Sequence, residues 1–152
     1  MSKLFTIFVV VLVILTSNIA IAQSEEEAVI TAVQKFFYAM SARDTSATLA
    51  VLLREGQYFS IREDSSQISI RNTTHTEYLN NLATSNENWF EKMRKPEVLV
   101  HDRVAILWTE YDFHRNGQFS HCGVDAFSLL KTAEGWKIVG IIFTVEPKGY
   151  DK

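Results

Sequence analysis

Asn116-Gly117 lies inside a long run of alternating residues that extends from Val104 to Phe127. A two-residue turn of this type needs positive φ at both central positions, which Asn and Gly reach at least cost, so the pair predicts a tight hairpin. Folding the chain about that turn places Trp108 opposite Asp125, Glu110 opposite Gly123 and Asp112 opposite His121. A second hairpin at Thr132 to Gly135 returns the chain as Trp136 to Val145, bringing Asp125 near Ile142 and Phe127 near Gly140. A slip of one residue in either hairpin would turn every side chain beyond it to the other face.

On this register one face carries Val104, Ile106, Trp108, Glu110 and Asp112 together with His121, Asp125, Phe127, Leu129 and Ile142. The opposite face carries Ala105, Leu107, Tyr111, Cys122, Val124, Ile141 and Phe143, and it is apolar as well. A sheet with one wet face alternates apolar with polar, so both faces of this one are expected to be covered. Helices can cover one. A second copy of the chain is the simplest cover for the other, which predicts a homodimer through the outer sheet face.

The helices come from the first half. Val29, Ala32, Val33, Phe36, Phe37 and Met40 form a helical stripe within Glu25 to Arg43, with acidic residues at its N-terminal end. Asp44 caps a second, shorter helix. Tyr58 to Glu63 and Ile68 to Ile70 read as strands, and Thr74 with Glu77 has capping-box spacing for a third helix through Tyr78 and Leu82. Asn86 to Arg94 reads as a continuation of that helix or a separate helical turn, and Pro96 opens a strand through Val98 and Val100.

Residues 1–22 have the form of a secretory leader: Lys3, an apolar run from Leu4 to Leu15, then Ala20-Ile21-Ala22 as a small-x-small cleavage site. The run is too short and interrupted for a span of about 20 apolar residues, so cleavage would leave residues 23–152 as a single domain with no stable membrane anchor. Export to the periplasm or beyond is expected. Cys122 is the sole cysteine, so the chain has no internal disulfide, and a small buried residue is the simpler reading of it. A formal charge of −3 with scattered Lys and Arg gives no reason to expect nucleic acid as a partner.

Tyr111-Asp112-Phe113, the Asn116-Gly117 turn, Ser120-His121-Cys122-Gly123-Val124-Asp125-Ala126-Phe127 and Gly135-Trp136-Lys137-Ile138 resemble the nuclear transport factor 2-like superfamily, in its putative lumazine-binding, SnoaL-like branch. The resemblance implies an α+β cone, with N-terminal helices packed on a curved, mainly antiparallel sheet around a cavity. It does not specify chemistry, because this fold hosts isomerases, dehydratases, cyclases and plain binding modules. A small apolar or aromatic molecule is the expected partner. Tyr38, Tyr78, Trp89, Trp108, Asp125, Phe127 and Ile142 are the candidate cavity residues.

The alternative is an isomerase or lyase of the ketosteroid-isomerase or polyketide-cyclase type. Asp125 beside Trp108 is then the general base, its pKa raised by aromatic walls, with Asp112 and His121 as an orienting pair or a second acid-base dyad. Asp112, His114 and His121 near the hairpin tip have some metal-ligand character, but no His-Glu-x-x-His or paired-cysteine spacing supports a site, and no metal or cofactor is expected. His75 and His101 read as surface residues.

Overall fold

The computed structural model describes residues 23–64 and 66–147, so the expected leader lies outside the described residues. The element order is α1 (Glu25–Ala42), α2 (Thr45–Val51), β1 (Leu52–Asp64), β2 (Gln67–Thr74), α3 (His75–Thr84), β3 (Trp89–His101), β4 (Val104–Arg115), β5 (Gln118–Thr132) and β6 (Gly135–Val145). Six strands form one sheet in the order β2-β1-β6-β5-β4-β3, parallel only between β1 and β6. It is curved and unclosed, an α+β architecture with the helices on its concave side. No helix among the described residues is long and apolar enough to cross a membrane.

Local chemistry explains the helix ends. Ser24 and Thr74 each form a capping box, with Glu27 and Glu77, and Asp44 caps α2 through the Ala47 N–H at 2.9 Å. The helical stripe of α1 is buried from Val29 to Met40. Phe36 and Phe37 meet Phe127 of β5 edge-on, with ring centroids 6.3 and 5.8 Å apart.

Both hairpin turns form where the sequence places them, but each is followed by a β-bulge. Arg115 pairs with Gln118 and His114 with Phe119; Ser120 is then the extra residue, so Phe113 pairs with His121. In the second hairpin Leu129 pairs with Ile138, Val139 is extra, and Ser128 pairs with Gly140. Each bulge displaces the register by one residue. Trp108 therefore opposes Ala126 and Asp112 opposes Cys122, while Asp125 lies between Thr109 and Phe143.

This corrects the expected faces. Asp125 and Phe127 share the concave face with Leu107, Thr109, Ile141 and Phe143, whereas Trp108 and Ile142 lie on the convex face, 39% and 61% exposed. Two further expectations are corrected. The segment around Trp89 is strand, not helix: Trp89 to Arg94 pairs residue by residue with Arg115 to Glu110. His75 is fully buried, not on the surface. Its ring occupies the space above Gly56, where a Cβ would stand 2.1 Å from His75 Cε1, and its Nδ1 lies 2.5 Å from the Leu53 carbonyl.

Candidate functional site

The concave face changes character along its strands. Beneath α1 it is closed and apolar, with Ala105, Leu107, Leu129 and Ile138 buried. Toward the Asn116-Gly117 end it carries Trp89, Glu91 and Met93 on β3, Phe113 on β4, His121 and Asp125 on β5, and Phe143 on β6. All but Asp125 are only half-buried, and Asp125 is 3% exposed at the bottom. This end of the face is therefore covered less fully than the core beneath α1, leaving a shallow recess. Tyr78 of α3 and Tyr58 of β1 form its helical side, with rings 5.0 Å apart, and Tyr78 is 6.5 Å from Trp89.

At the bottom of the recess the Glu91 and Asp125 carboxyls hydrogen-bond to each other. Burial pushes the Glu91 carboxyl well above its ordinary range, and the neighbouring Asp125 charge adds to the effect. Glu91 itself is half-buried. Burial also raises Asp125, to about 7, against the partly offsetting hydrogen bond from Glu91. The physical picture is one proton shared by two carboxyls, held by Glu91, with Asp125 titrating near neutrality.

Three polar atoms in the recess are buried without a hydrogen-bond partner: Asp125 Oδ2, Tyr58 OH and Tyr78 OH. Desolvation raises both phenol pKa values well above 10, and the Glu91 charge contributes in each case. Both tyrosines therefore stay protonated and can donate. Two phenols, a protonated carboxyl and an ionisable carboxylate converge within aromatic walls. Such a set can bind a polar group on an otherwise apolar molecule, or move a proton to and from it.

His121 stacks on Phe113 at 4.8 Å, and its pKa is lowered to about 4, first by burial and then by Arg115 and Arg62. It forms part of the aromatic wall as a neutral ring. Asp112, expected to pair with it, points to the convex side instead and binds Arg94 Nε at 2.6 Å. Tyr38 is also outside the recess, 72% exposed. It lies on a separate groove of about 790 Å³ between α1, α2 and the β5–β6 hairpin, where Trp136 Nε1 donates to Glu25 at 3.0 Å. Tyr78, Trp89, His121, Asp125 and Phe127 thus lie on the concave side, while Tyr38, Trp108, Asp112 and Ile142 do not.

Glu91 is the residue that sequence reasoning missed. Its signal was present: Trp89, Glu91 and Met93 alternate with Phe90, Lys92 and Arg94 at the period of a strand. Among the described residues no group of three or more His, Cys, Asp or Glu side chains is placed to hold a metal ion.

Solved structures share this architecture. A nuclear transport factor 2-like superfamily protein from Salmonella enterica serovar Typhimurium matches 82% of this chain and 93% of its own, at 15% identity and a TM-score of 0.63. A nuclear transport factor 2-like protein from Cytophaga hutchinsonii reaches a TM-score of 0.68 over 80% of this chain and 98% of its own, at 7% identity. A protein from Streptomyces avermitilis described as a putative dehydratase of the same fold family gives 0.62 over 80% and 95%, at 16% identity. These identities establish shared fold alone. No curated protein matches the chain in sequence. The family described as putative lumazine-binding matches residues 24–144, nearly the whole of the fold just described, and the chain belongs to that family within the nuclear transport factor 2-like superfamily.

Proposed function

We propose that this chain binds a small, mainly apolar or aromatic molecule in the concave recess, with the Glu91–Asp125 pair meeting its polar group. The observation that carries this reading is that three buried polar atoms at this end of the concave face, Asp125 Oδ2, Tyr58 OH and Tyr78 OH, have no hydrogen-bond partner. Leaving a buried polar group unpaired costs about 1–3 kcal/mol, and a ligand with a matching polar group removes that cost where an apolar filler would not.

A second reading is favoured by the burial of the Asp125 carboxyl beside Glu91, which raises its pKa to about 7. A carboxylate poised there can take a proton from carbon and return it, as an isomerase or lyase requires. The description of the Streptomyces avermitilis neighbour as a putative dehydratase is compatible with it. Residues 1–22 and the exposed convex residues Leu99, Trp108 and Ile142 support two further parts of the proposal, an exported protein and a homodimer through the outer sheet face.

Native mass spectrometry of the protein isolated from its own host tests these parts together. A defined mass above that of the chain, lost in Tyr78→Trp, is the expected result, and ligand-free protein overturns the binding reading. Once a ligand is identified, Asp125→Asn separates the two chemistries: an enzyme loses turnover and keeps the ligand, whereas a binder has no turnover to lose. A chain that leaves its host as a monomer overturns the dimer.

A further inference from the structure

We propose that His75 is an acid-operated latch: as a neutral ring it docks α3 on β1 and keeps Tyr78 at the side of the recess, and as a charged ring it lets α3 go. The latch is carried by the geometry of α3 itself, whereas its effect on a bound molecule rests on the binding reading above. The slot for the ring is set by an interruption in the sheet. Between the Leu52–Ile138 and Gln57–Gly140 pairs, Leu53 to Gly56 of β1 stand against Val139 of β6 alone, and the Leu53 carbonyl falls in that gap. His75 Nδ1 lies 2.5 Å from it. A carbonyl oxygen only accepts, so Nδ1 carries the proton of the neutral ring and Nε2 is a bare acceptor. The slot is tight: a Cβ at Gly56 would stand 2.1 Å from His75 Cε1 and 2.3 Å from the Val139 oxygen.

Little else holds α3 in place. It has 10 residues, His75–Thr84, fewer than the about 12–15 at which an isolated helix becomes even marginally stable in water. Its two buried side chains are His75 and Leu82, and Tyr78 lies between them on the same stripe, half-buried. A second proton on His75 undoes one of these anchors. It would sit on Nε2, which is buried and has no hydrogen-bond partner, and an unpaired charge in such a place is costly. The ring also belongs to the first residue of α3, where the helix dipole opposes positive charge.

The elements packed around the ring do not offset that charge. β1 presents the Leu53 carbonyl and the Tyr58 ring, 4.7 Å away, whose phenol stays protonated. β6 presents the Val139 carbonyl. The buried residues of α2 are Thr48 and Val51, both uncharged. On α3 itself Glu77 is bound into the capping box by Thr74, with the Arg71 charge of β2 acting on it. Among the described residues, burial lowers the His75 pKa below its ordinary 6.5 and the Leu53 bond offsets part of the effect. Once α3 is released the ring is in water and regains its ordinary pKa. Each unit of pH below about 6.5 therefore shifts the balance about tenfold toward the released form, until the docked ring is itself charged. Asp125 has the opposite sense: its proton favours the folded form, so it cannot loosen the protein on acidification.

Amide hydrogen exchange of the ligand-free chain from pH 7 to pH 5, corrected for the intrinsic rate at each pH, tests the latch. Protection of Tyr78 to Thr84 is expected to fall about tenfold per pH unit below 6.5, while that of Val29 to Met40 in α1 holds. His75→Gln, which can still donate to Leu53 but takes no charge, should remove the fall. Protection that is unchanged on acidification, that falls equally in α1 and α3, or that falls as steeply in His75→Gln overturns the latch. If that variant already exposes α3 at pH 7, the wild-type ring is followed by NMR instead. It should charge only as α3 opens, and a ring that charges with α3 still protected overturns the latch. Phenylnaphthylamine, an uncharged aromatic dye, then reports the recess by its fluorescence. Release between pH 7 and pH 5 from wild type but not from His75→Gln is the expected result. Dye retained at pH 5 while α3 is open overturns the control of binding by the latch. Dye that binds at no pH overturns the binding reading, and the exchange measurement still decides the latch.

Discussion

The two ends of the concave face are built from the same strands and differ in what their side chains lack. Under α1, Leu107, Phe127, Leu129 and Ile138 are at most 1% exposed, and the Trp136 N–H that enters this layer is met by Glu25. Toward the hairpin tip the strands carry Trp89, Glu91, Phe113 and His121, half-buried around a carboxyl pair and two unpartnered phenols. Close packing stabilises one end. The other keeps polar groups that the fold itself does not satisfy, which is the condition under which a ligand adds stability rather than displacing it.

The largest test of that division is a pair of truncations on the same face. Phe127→Ala removes a ring packed between Phe36 and Phe37 and should cost about 3–5 kcal/mol. That is a fall in Tm on the order of 10 °C or more for a domain of this size. Phe113→Ala, at the half-exposed end, should cost less than half as much in the same calorimetric comparison. Equal losses would mean that the open end is packed like a core, and the recess would have to be abandoned.

Much of this fold was legible because its signals are local. The Asn116-Gly117 turn, the Thr74–Glu77 capping box and the α1 stripe each depend on residues a few positions apart, and each forms where expected. The site was less legible because its geometry depends on two bulges, at Ser120 and Val139, that no turn residue announces. One extra residue in β5 exchanged Trp108 for Thr109 as the neighbour of Asp125, and one in β6 exchanged Ile142 for Phe143. Asp125 was found because an aspartate in an apolar strand is conspicuous at any register. Glu91 was missed because a helical reading of Asn86 to Arg94 hid the strand alternation that aims it at Asp125.

The carboxyl pair makes the comparison pH-dependent. Asp125 is raised to about 7 in the folded protein, whereas an unfolded aspartate titrates near 3.9. Between those values the folded state holds the extra proton, so its contribution is present at low pH and lost as pH rises toward 7. His121 acts in the opposite sense: lowered to about 4, it stabilises above the ordinary histidine value and loses that stability as pH falls through 4. Glu91, raised in the same sense as Asp125, adds to the decline with rising pH, so His121 offsets only part of it in the wild type. Asp125→Asn removes the Asp125 slope. Chemical denaturation across this window should show wild type losing ground to the variant as pH rises, at a rate set by about 1.4 kcal/mol per unit of pKa difference. Parallel curves would mean that Asp125 is ionised throughout and that no proton is shared.

The smallest expected effect isolates a single hydroxyl at each of two tyrosines. Tyr111 OH donates to the Thr144 carbonyl at 2.6 Å, so Tyr111→Phe should cost about 1 kcal/mol by leaving that acceptor with one partner fewer. Tyr78 OH is buried with no partner, so Tyr78→Phe should be neutral or stabilising by a few tenths of a kcal/mol in the ligand-free protein. The substitution is the same, and its sign depends only on whether the fold has already satisfied the hydroxyl. With ligand bound, the order should reverse: Tyr78→Phe weakens binding, and Tyr111→Phe leaves it unchanged. If Tyr78→Phe destabilises the free protein as much as Tyr111→Phe does, the phenol has a partner, such as a fixed water molecule, and the open end is as fully satisfied as the closed one.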